Sequence, residues 1–269
     1  VKKVLCEDKV HFDADAVVIA TGGASYPLTG SSGDGYKLAK QLGHTVVSPR
    51  PSLIPIVTAE PWCAEMMGLS LKNVTLTVKN EKKKTVFQEL GEMLFTHFGV
   101  SGPLVLSASS YMTQPAKTYR MTIDMKPALD LAQLDARILR DFEMQKNKDF
   151  ANSLDALLPR KMIPVVVRLS GIPADTKVNS VTREQRRGLA ALIKALPLTP
   201  VDFRPIEEAI ITSGGVAVKE VSPKTMESKL IQGLFFAGEV LDVDAFTGGF
   251  NLQIAFATAY LAAQSVCGE

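Results

Sequence analysis

Three stretches of the chain carry residue types able to do chemistry. In Gly233–Ala263 the apolar run Leu234-Phe235-Phe236-Ala237 ends in Gly238-Glu239, and Thr247-Gly248-Gly249-Phe250-Asn251 then opens a long apolar helix. A glycine turn feeding a helix presents unpaired backbone N–H groups and a positive dipole end, a cradle for a phosphate or the polar edge of a ring. Glu239, at a strand's C-terminal end, is placed to accept hydrogen bonds from a polyol. The second stretch, Asp15-Ala16-Val17-Val18-Ile19-Ala20-Thr21-Gly22-Gly23, is another apolar strand running into a glycine turn. The third is Leu94–Pro103, where His97 can exchange protons near neutral pH and Ser101 can cap a helix begun by Pro103. Each has a plainer role as well. The glycine turn can be a bare strand-to-helix connection, Glu239 a solvated loop acid, and a lone histidine more often makes a structural hydrogen bond. Asp242 and Asp244 read as loop or cap residues.

Other chemistries find no support. The chain has no GxGxxG, GxxxxGK[ST] or HExxH, and Ser101 sits in Gly-Val-Ser-Gly, which is not a hydrolase elbow. Cys6, Cys63 and Cys267 form no CxxC pair and cannot all pair with one another, so a reducing cytoplasm is the expected setting. A formal net charge of +2 calls for neither nucleic acid nor membrane as a partner. Residues 127–200 hold twelve Lys/Arg against eight Asp/Glu, a balance usual for a solvated face, and nucleic-acid binding is not expected. No apolar run reaches the ~20 residues of a membrane span.

The elements that must position these residues follow from periodicity. Asp15–Ala20 is too uniformly apolar for a half-exposed strand and is expected inside a parallel sheet. A short helix with Leu38, Ala39 and Leu42 on its apolar face follows, stopped by Gly43. Pro49, Pro51, Pro55 and Pro61 are expected to break regular structure. Val74, Leu76 and Val78 alternate with polar residues, and Tyr119–Met125 alternates again, which predicts a small antiparallel β unit. Asp130 with Gln133, and Thr182 with Gln185, have capping-box spacing. The stripes Leu131, Leu134, Ile138, Phe142 and Leu189, Leu192, Ile193, Leu196 predict buried helix faces. Ile206–Val218 is expected to rejoin the β unit. His11 and His44 show no neighbourhood suggesting a role.

The order α/β, β, helical, β, α/β implies an α/β domain interrupted by an insertion. The expected boundaries are 1–50 and 223–269 for the interrupted domain and 51–222 for the insert. Within the insert, 51–126 and 199–222 form a β-barrel-like part and 127–198 a helical part.

Three blocks, AVVIATGGASYPLTGSSGDGYKLAKQLGH (16–44), GEMLFTHFGVSGPLVL (91–106) and TSGGVAVKEVSPKTMESKLIQGLFFAGEVLDVDAFTGGFNLQIAF (212–256), resemble the bacterial NAD(P)/FAD-dependent oxidoreductases described as aminoacetone oxidase-like or YhiN-like flavoproteins. The resemblance implies a FAD domain of the two-dinucleotide-binding type, interrupted by a β-barrel and a helix–two-turn–helix part. By carry-over, Thr21, Gly22 and Gly23 would lie near the dinucleotide, and Gly238 and Glu239 at its ribityl or pyrophosphate region. Gly248, Gly249, Phe250 and Asn251 would lie at the isoalloxazine edge, and Thr96, His97 and Ser101 would approach the ring from the insert, His97 as the candidate catalytic residue. No metal is implied.

Members of that family open with a strand–GxGxxG–helix unit, which this sequence does not contain; Ala245, Phe250 and Ala259 are milder departures. The expectation is a portion of a FAD-dependent oxidoreductase that passes hydride from a small substrate or NAD(P)H to flavin. FAD would belong to the full-length protein and bind weakly or not at all to this chain alone. A separate N-terminal segment or chain would be its partner. The competing expectation is a non-catalytic fragment or interaction module that no longer binds flavin.

Overall fold

The computed structural model describes all residues except Lys2, Glu7 and Glu269. The chain divides into two compact units, Val1–Ile54 with Arg204–Glu269, and Pro55–Phe203. In chain order the first unit opens with β1 (Lys3–Leu5), β2 (His11–Asp13), β3 (Val17–Ile19), α1 (Asp34–Gln41) and β4 (Val46–Ser52). The second unit contains β5 (Ile56–Thr58), α2 (Trp62–Glu65), β6 (Ser70–Lys79), β7 (Thr85–Phe95), β8 (Gly99–Ser101), α3 (Pro103–Ser110) and β9 (Arg120–Asp124). It continues through α4 (Leu131–Met144), α5 (Ile163–Ser170), α6 (Arg183–Lys194), β10 (Leu196–Leu198) and β11 (Pro200–Phe203). The chain then returns to the first unit with β12 (Ile211–Val216), β13 (Leu234–Phe236) and α7 (Phe250–Cys267). The architecture is mixed α/β.

In the first unit, β3 and β13 pair in parallel, with Val17 opposite Leu234 and Ile19 opposite Phe236. Their glycine turns therefore leave at the same end of the sheet. The uniform apolarity of β3 does not make it an interior strand among the described residues: Ile19 is buried, but Val18 is 43% exposed, because β13 is its one paired neighbour. Helix α1 buries Tyr36 and Ala39 and exposes Leu38 and Leu42, so its apolar face is rotated from the one expected.

Strand β4 runs through Pro49 and Pro51, contrary to the expectation that proline would break it. Among the described residues it pairs on one side only, and its register with β12 slips between Ser213 and Gly215, opposite the Ser48-Pro49 step, where no ladder N–H is demanded. Here Gly214 is required, since a Cβ on it would lie 2.6 Å from the Ser48 carbonyl oxygen. Strand β12 thus pairs with β4, rather than rejoining the larger sheet as its extended pattern suggested.

The second unit holds an antiparallel seven-stranded sheet in the order β10-β9-β6-β7-β8-β5-β11. Its two edges, β10 and β11, are nearly consecutive in sequence, so the sheet must curl until one stretch of chain supplies both. Val74, Leu76 and Val78 point inward with Met121 and Ile123 of β9, as their alternation requires. Both capping boxes form: Asp130 Oδ1 accepts from Gln133 N at 2.7 Å, and Thr182 Oγ1 from Gln185 N at 3.2 Å. Helices α4 and α6 bury Leu134, Ile138, Phe142, Leu189 and Ile193 in one core and are clamped by a fork from Arg186 to Asp135. Leu131 departs from the expected stripe, being 50% exposed at the first position of α4, where the turn stands clear of the core. Leu192 is only partly buried.

Candidate functional site

The first unit gathers the turns after β3 and β13 around one carboxylate. Glu239 Oε1 accepts the backbone N–H of Thr212 at 2.6 Å and the Ser25 hydroxyl at 3.3 Å. Thr212 Oγ1 in turn accepts the N–H groups of Ala24 and Ser25 at 2.8 and 3.1 Å. The network leaves no room beside Gly23, where a Cβ would lie 2.5 Å from both Glu239 Oε1 and Thr212 Oγ1. A Cβ on Gly35 would likewise collide with Thr21 Oγ1, so glycine lets the first turn of α1 close on the loop carrying Thr21. Gly22 has φ of 74°, a left-handed conformation that turns the chain away from β3. Tyr36 packs beneath this network, and burial together with the Glu239 carboxylate pushes its phenol up to about 12. Ser25, Tyr36 and Thr212 carry no signal in the sequence that would have singled them out.

The second feature is the start of α7. Gly248 and Gly249 both have positive φ, and no side chain caps the helix. Gln253 N is the first to bond back along the helix, to Gly249 O, so the N–H groups of Phe250, Asn251 and Leu252 have no partner among the described residues. The side chain of Asn251 is committed elsewhere: Oδ1 accepts from Ala245 N at 2.9 Å and Nδ2 donates to Ala245 O at 2.8 Å, which shapes the loop before the turn. Gly238 N donates to Thr258 Oγ1 at 2.9 Å, tying the turn after β13 to α7. Asp244 accepts from the hydroxyls of Ser52 and Ser213.

In the second unit, Thr96, His97 and Ser101 lie around the β7–β8 turn. Thr96 and Gly99 close it, Thr96 N donating to Gly99 O at 2.9 Å and Gly99 N to Thr96 Oγ1 at 3.1 Å. His97 is exposed at its tip, edge-on to Phe98. Ser101 belongs to β8 and does not cap α3, whose N-cap is Gly102. His44, by contrast, is buried in a network the sequence did not suggest. Ser228 Oγ accepts the N–H groups of Leu230 and Ile231, so its proton goes to His44 Nε2 at 2.9 Å. Nδ1 lies 3.3 Å from Glu220 Oε2 and has no hydrogen-bond partner among the described residues. Cys63 is buried and accepts from Thr58 Oγ1; burial pushes its thiol up to about 11, away from reactivity. Among the described residues no group of His, Cys, Asp and Glu is arranged to hold a metal ion, and no helix is long and apolar enough to cross a membrane.

The donor set can be tested against a flavin dinucleotide. The uncapped start of α7 fits the electron-rich edge of a ring, and Glu239 keeps Oε2 available for a hydroxyl. The pyrophosphate finds less: α1, which follows the β3 turn, carries Asp34 in its first turn, and that charge opposes a phosphate. The described residues suit the ring end and not the pyrophosphate end.

These features define a mixed α/β chain carrying a curled antiparallel sheet, a helical part and a glycine-gated helix start. Residues 50–211 match the family model described as HI0933-like protein barrel and H2TH domain, and the chain belongs to that family. It is 34% identical over 94% of its length to the ribosomal RNA dihydrouridine synthase of Escherichia coli (strain K12), covering 60% of that protein. With the protein of the same name from Haemophilus influenzae it shares 34% identity over 99% of its length, covering 64% of that protein. It is also 29% identical over 97% of its length to the 3-dehydro-bile acid delta(4,6)-reductase of Clostridium scindens, again covering 64%. The chain thus spans about three fifths of the length of these curated relatives. None of the three bears the name aminoacetone oxidase.

Proposed function

We propose that this chain is the ring-binding portion of a FAD-dependent reductase that takes hydride from NAD(P)H and saturates a carbon–carbon double bond in a pyrimidine of RNA. The observation that carries the flavin reading is the start of α7, where three unpaired N–H groups sit behind Gly248-Gly249 at the positive end of an 18-residue helix. The RNA reading draws on the names of the two relatives at 34% identity; dihydrouridine is uridine with its ring double bond saturated, and the third relative is named a reductase. FAD, when bound, would supply reversible hydride acceptance.

The chain's own residues have separable tasks in this reading. The N–H groups of Phe250, Asn251 and Leu252 offset negative charge at the ring edge, while the Asn251 side chain fixes the preceding loop and touches no cofactor. Glu239 holds the two glycine turns together through Oε1 and accepts a cofactor hydroxyl at Oε2. Gly22 and Gly23 let the backbone approach. In the second unit, His97, exposed in the β7–β8 turn beside Thr96, is able to hold or deliver a proton.

Helix α7 supports a further part of the reading. It is apolar all round, yet Phe250, Leu252, Phe256 and Tyr260 are exposed and Ala262 is its one buried residue. Such a helix requires cover. A polypeptide carrying a strand–GxGxxG–helix unit, on this chain or another, would cover it and bring the missing pyrophosphate donors.

Protein purified from its native cells should carry a flavin absorbance band that NAD(P)H bleaches, and uridine-containing RNA should restore the band with dihydrouridine detectable by mass. A colourless protein with no response to added FAD would overturn the flavin reading and leave an interaction module. Bleaching that no RNA reverses would remove the RNA substrate alone.

A further inference from the structure

A groove wholly within the second unit is lined by three cations and by no acid. It has a volume of about 730 Å³ and runs between the β6–β7 surface and the start of α4, and its walls include Lys72, Lys126 and Arg137 with no carboxylate. Arg137 also lines the two adjoining grooves along α4, where Arg140 and then Lys146 follow. Glu92 of β7 stands across from the Lys72-Asn73 step of β6, and three further acids nearby are committed. Asp124 pairs with Lys194 at 2.6 Å, Asp135 with Arg186, and Asp130 caps α4. Asp141 lies 3.7 Å from Arg137 in the farthest of the three grooves, where Glu143 is also found. The Nζ of Lys126 has no partner among the described residues, and burial together with Arg137 pushes its pKa down. An anion seated there would relieve both costs.

We propose that this tract, from Lys72 and Lys126 along α4 to Arg140, is the docking surface for the phosphate backbone of structured RNA. The inference rests on the RNA-substrate reading above and gives it a second contact surface, apart from the glycine turns of the first unit. Extent favours a polymer over a small anion: three adjoining grooves that share Arg137 carry Lys72, Lys126, Arg137, Arg140 and Lys146, from β6 to just past the end of α4. Composition favours backbone over bases. The three grooves contain no aromatic side chain to stack a base, and Leu90, Met125, Leu129, Leu139 and Met144 are the large apolar groups among the cations. That combination suits a helical stem held by its phosphates and read by shape.

The test uses the full 269-residue chain and a fluorescein-labelled stem–loop RNA, followed by anisotropy without flavin or turnover. Parent affinity should fall by roughly an order of magnitude or more between about 50 and 200 mM salt. Lys72→Gln, Lys126→Gln and Arg140→Gln combined should weaken binding at least about tenfold and cut the logarithmic salt slope by roughly 2–3. The single variant Arg140→Gln, on an exposed helix face, should lower it by about 1 and guards against misfolding in the triple. Lys82→Gln with Lys84→Gln, in the far β6–β7 turn, should change nothing. Salt-independent binding, or a triple variant that binds like the parent, overturns the proposal. So does polyglutamate competing as well as unlabelled stem, which would point to an acidic protein. Binding is read without chemistry, so its failure leaves the flavin reading standing, and a failed uridine assay leaves the docking surface standing.

Discussion

Glu239 Oε1 takes a 2.6 Å hydrogen bond from the backbone N–H of Thr212, joining the turn after β13 to the strand that pairs with β4. The contact is structural whether or not a cofactor is present. Glu239→Ala should therefore destabilise the apo chain by about 1–3 kcal/mol, since the N–H of the buried Thr212 loses its acceptor. Glu239→Gln, which keeps a carbonyl oxygen, should recover most of that. Urea midpoints of the three proteins measure it; an Ala variant as stable as the parent would show that water replaces the carboxylate at no cost.

Gly23 is fixed by the same network. Gly23→Ala sets a methyl 2.5 Å from Glu239 Oε1 and Thr212 Oγ1, and pushing both aside should cost about 1–3 kcal/mol. Combined with Glu239→Ala the penalties should be less than additive, because the second change removes one of the two clashing atoms.

The phenol of Tyr36 is raised to about 12, first by burial and then by the Glu239 carboxylate. A folded-state value above the unfolded one of about 10 means that the contribution is complete below pH 10 and is lost as pH rises towards 12. Tyr36→Phe should flatten that part of the stability profile and leave neutral pH little changed. Denaturant midpoints measured from pH 9 upward decide it; parallel profiles for the two proteins would mean that the phenolate is tolerated in the fold.

In the helical part, Leu134→Ala and Leu189→Ala should each cost about 2–5 kcal/mol, both side chains being fully buried. Leu131→Ala, half-exposed at the start of α4, should stay within about 0.5 kcal/mol. Equal losses at Leu131 and Leu134 would restore the face read from periodicity.

FAD titrated into this chain alone should bind weakly. The start of α7 offers unpaired N–H groups, but the sequence has no GxGxxG turn for a pyrophosphate, and losing about 3–4 kcal/mol of such contacts weakens binding by two to three orders of magnitude. Flavin fluorescence on titration reports it; tight stoichiometric binding would mean that the start of α7 and its neighbours suffice.

What the sequence disclosed depended on how local each signal was. The pairing of Val17–Ile19 with Leu234–Phe236 was legible because both strands are short, apolar and followed by glycine. The capping boxes at Asp130 and Thr182 need only residues three apart, and both formed. Leu38 and Leu131 misled because helical period defines a stripe but not where a neighbour covers it. The prolines of β4 misled because an unpaired edge tolerates them. Within the site, Gly248-Gly249 and Glu239 stood out by position. Ser25, Tyr36 and Thr212 did not, because their roles arise only when segments some 190 residues apart meet. Likewise a net +4 over residues 127–200 gave no hint that Arg137 and Arg140 share a surface with Lys72, which comes from β6.

The seven-stranded sheet takes both its edges from Leu196–Phe203, and among the described residues β3 pairs in parallel with β13 alone, from Leu234 onward. During synthesis at about 5–20 residues per second, β3 therefore waits some 10–40 s after leaving the ribosome before β13 follows it. Over that interval its pairing with β13 cannot form. Ribosome-bound intermediates should need a chaperone until residue 236 has emerged, whereas Pro55–Phe203 can close on itself earlier.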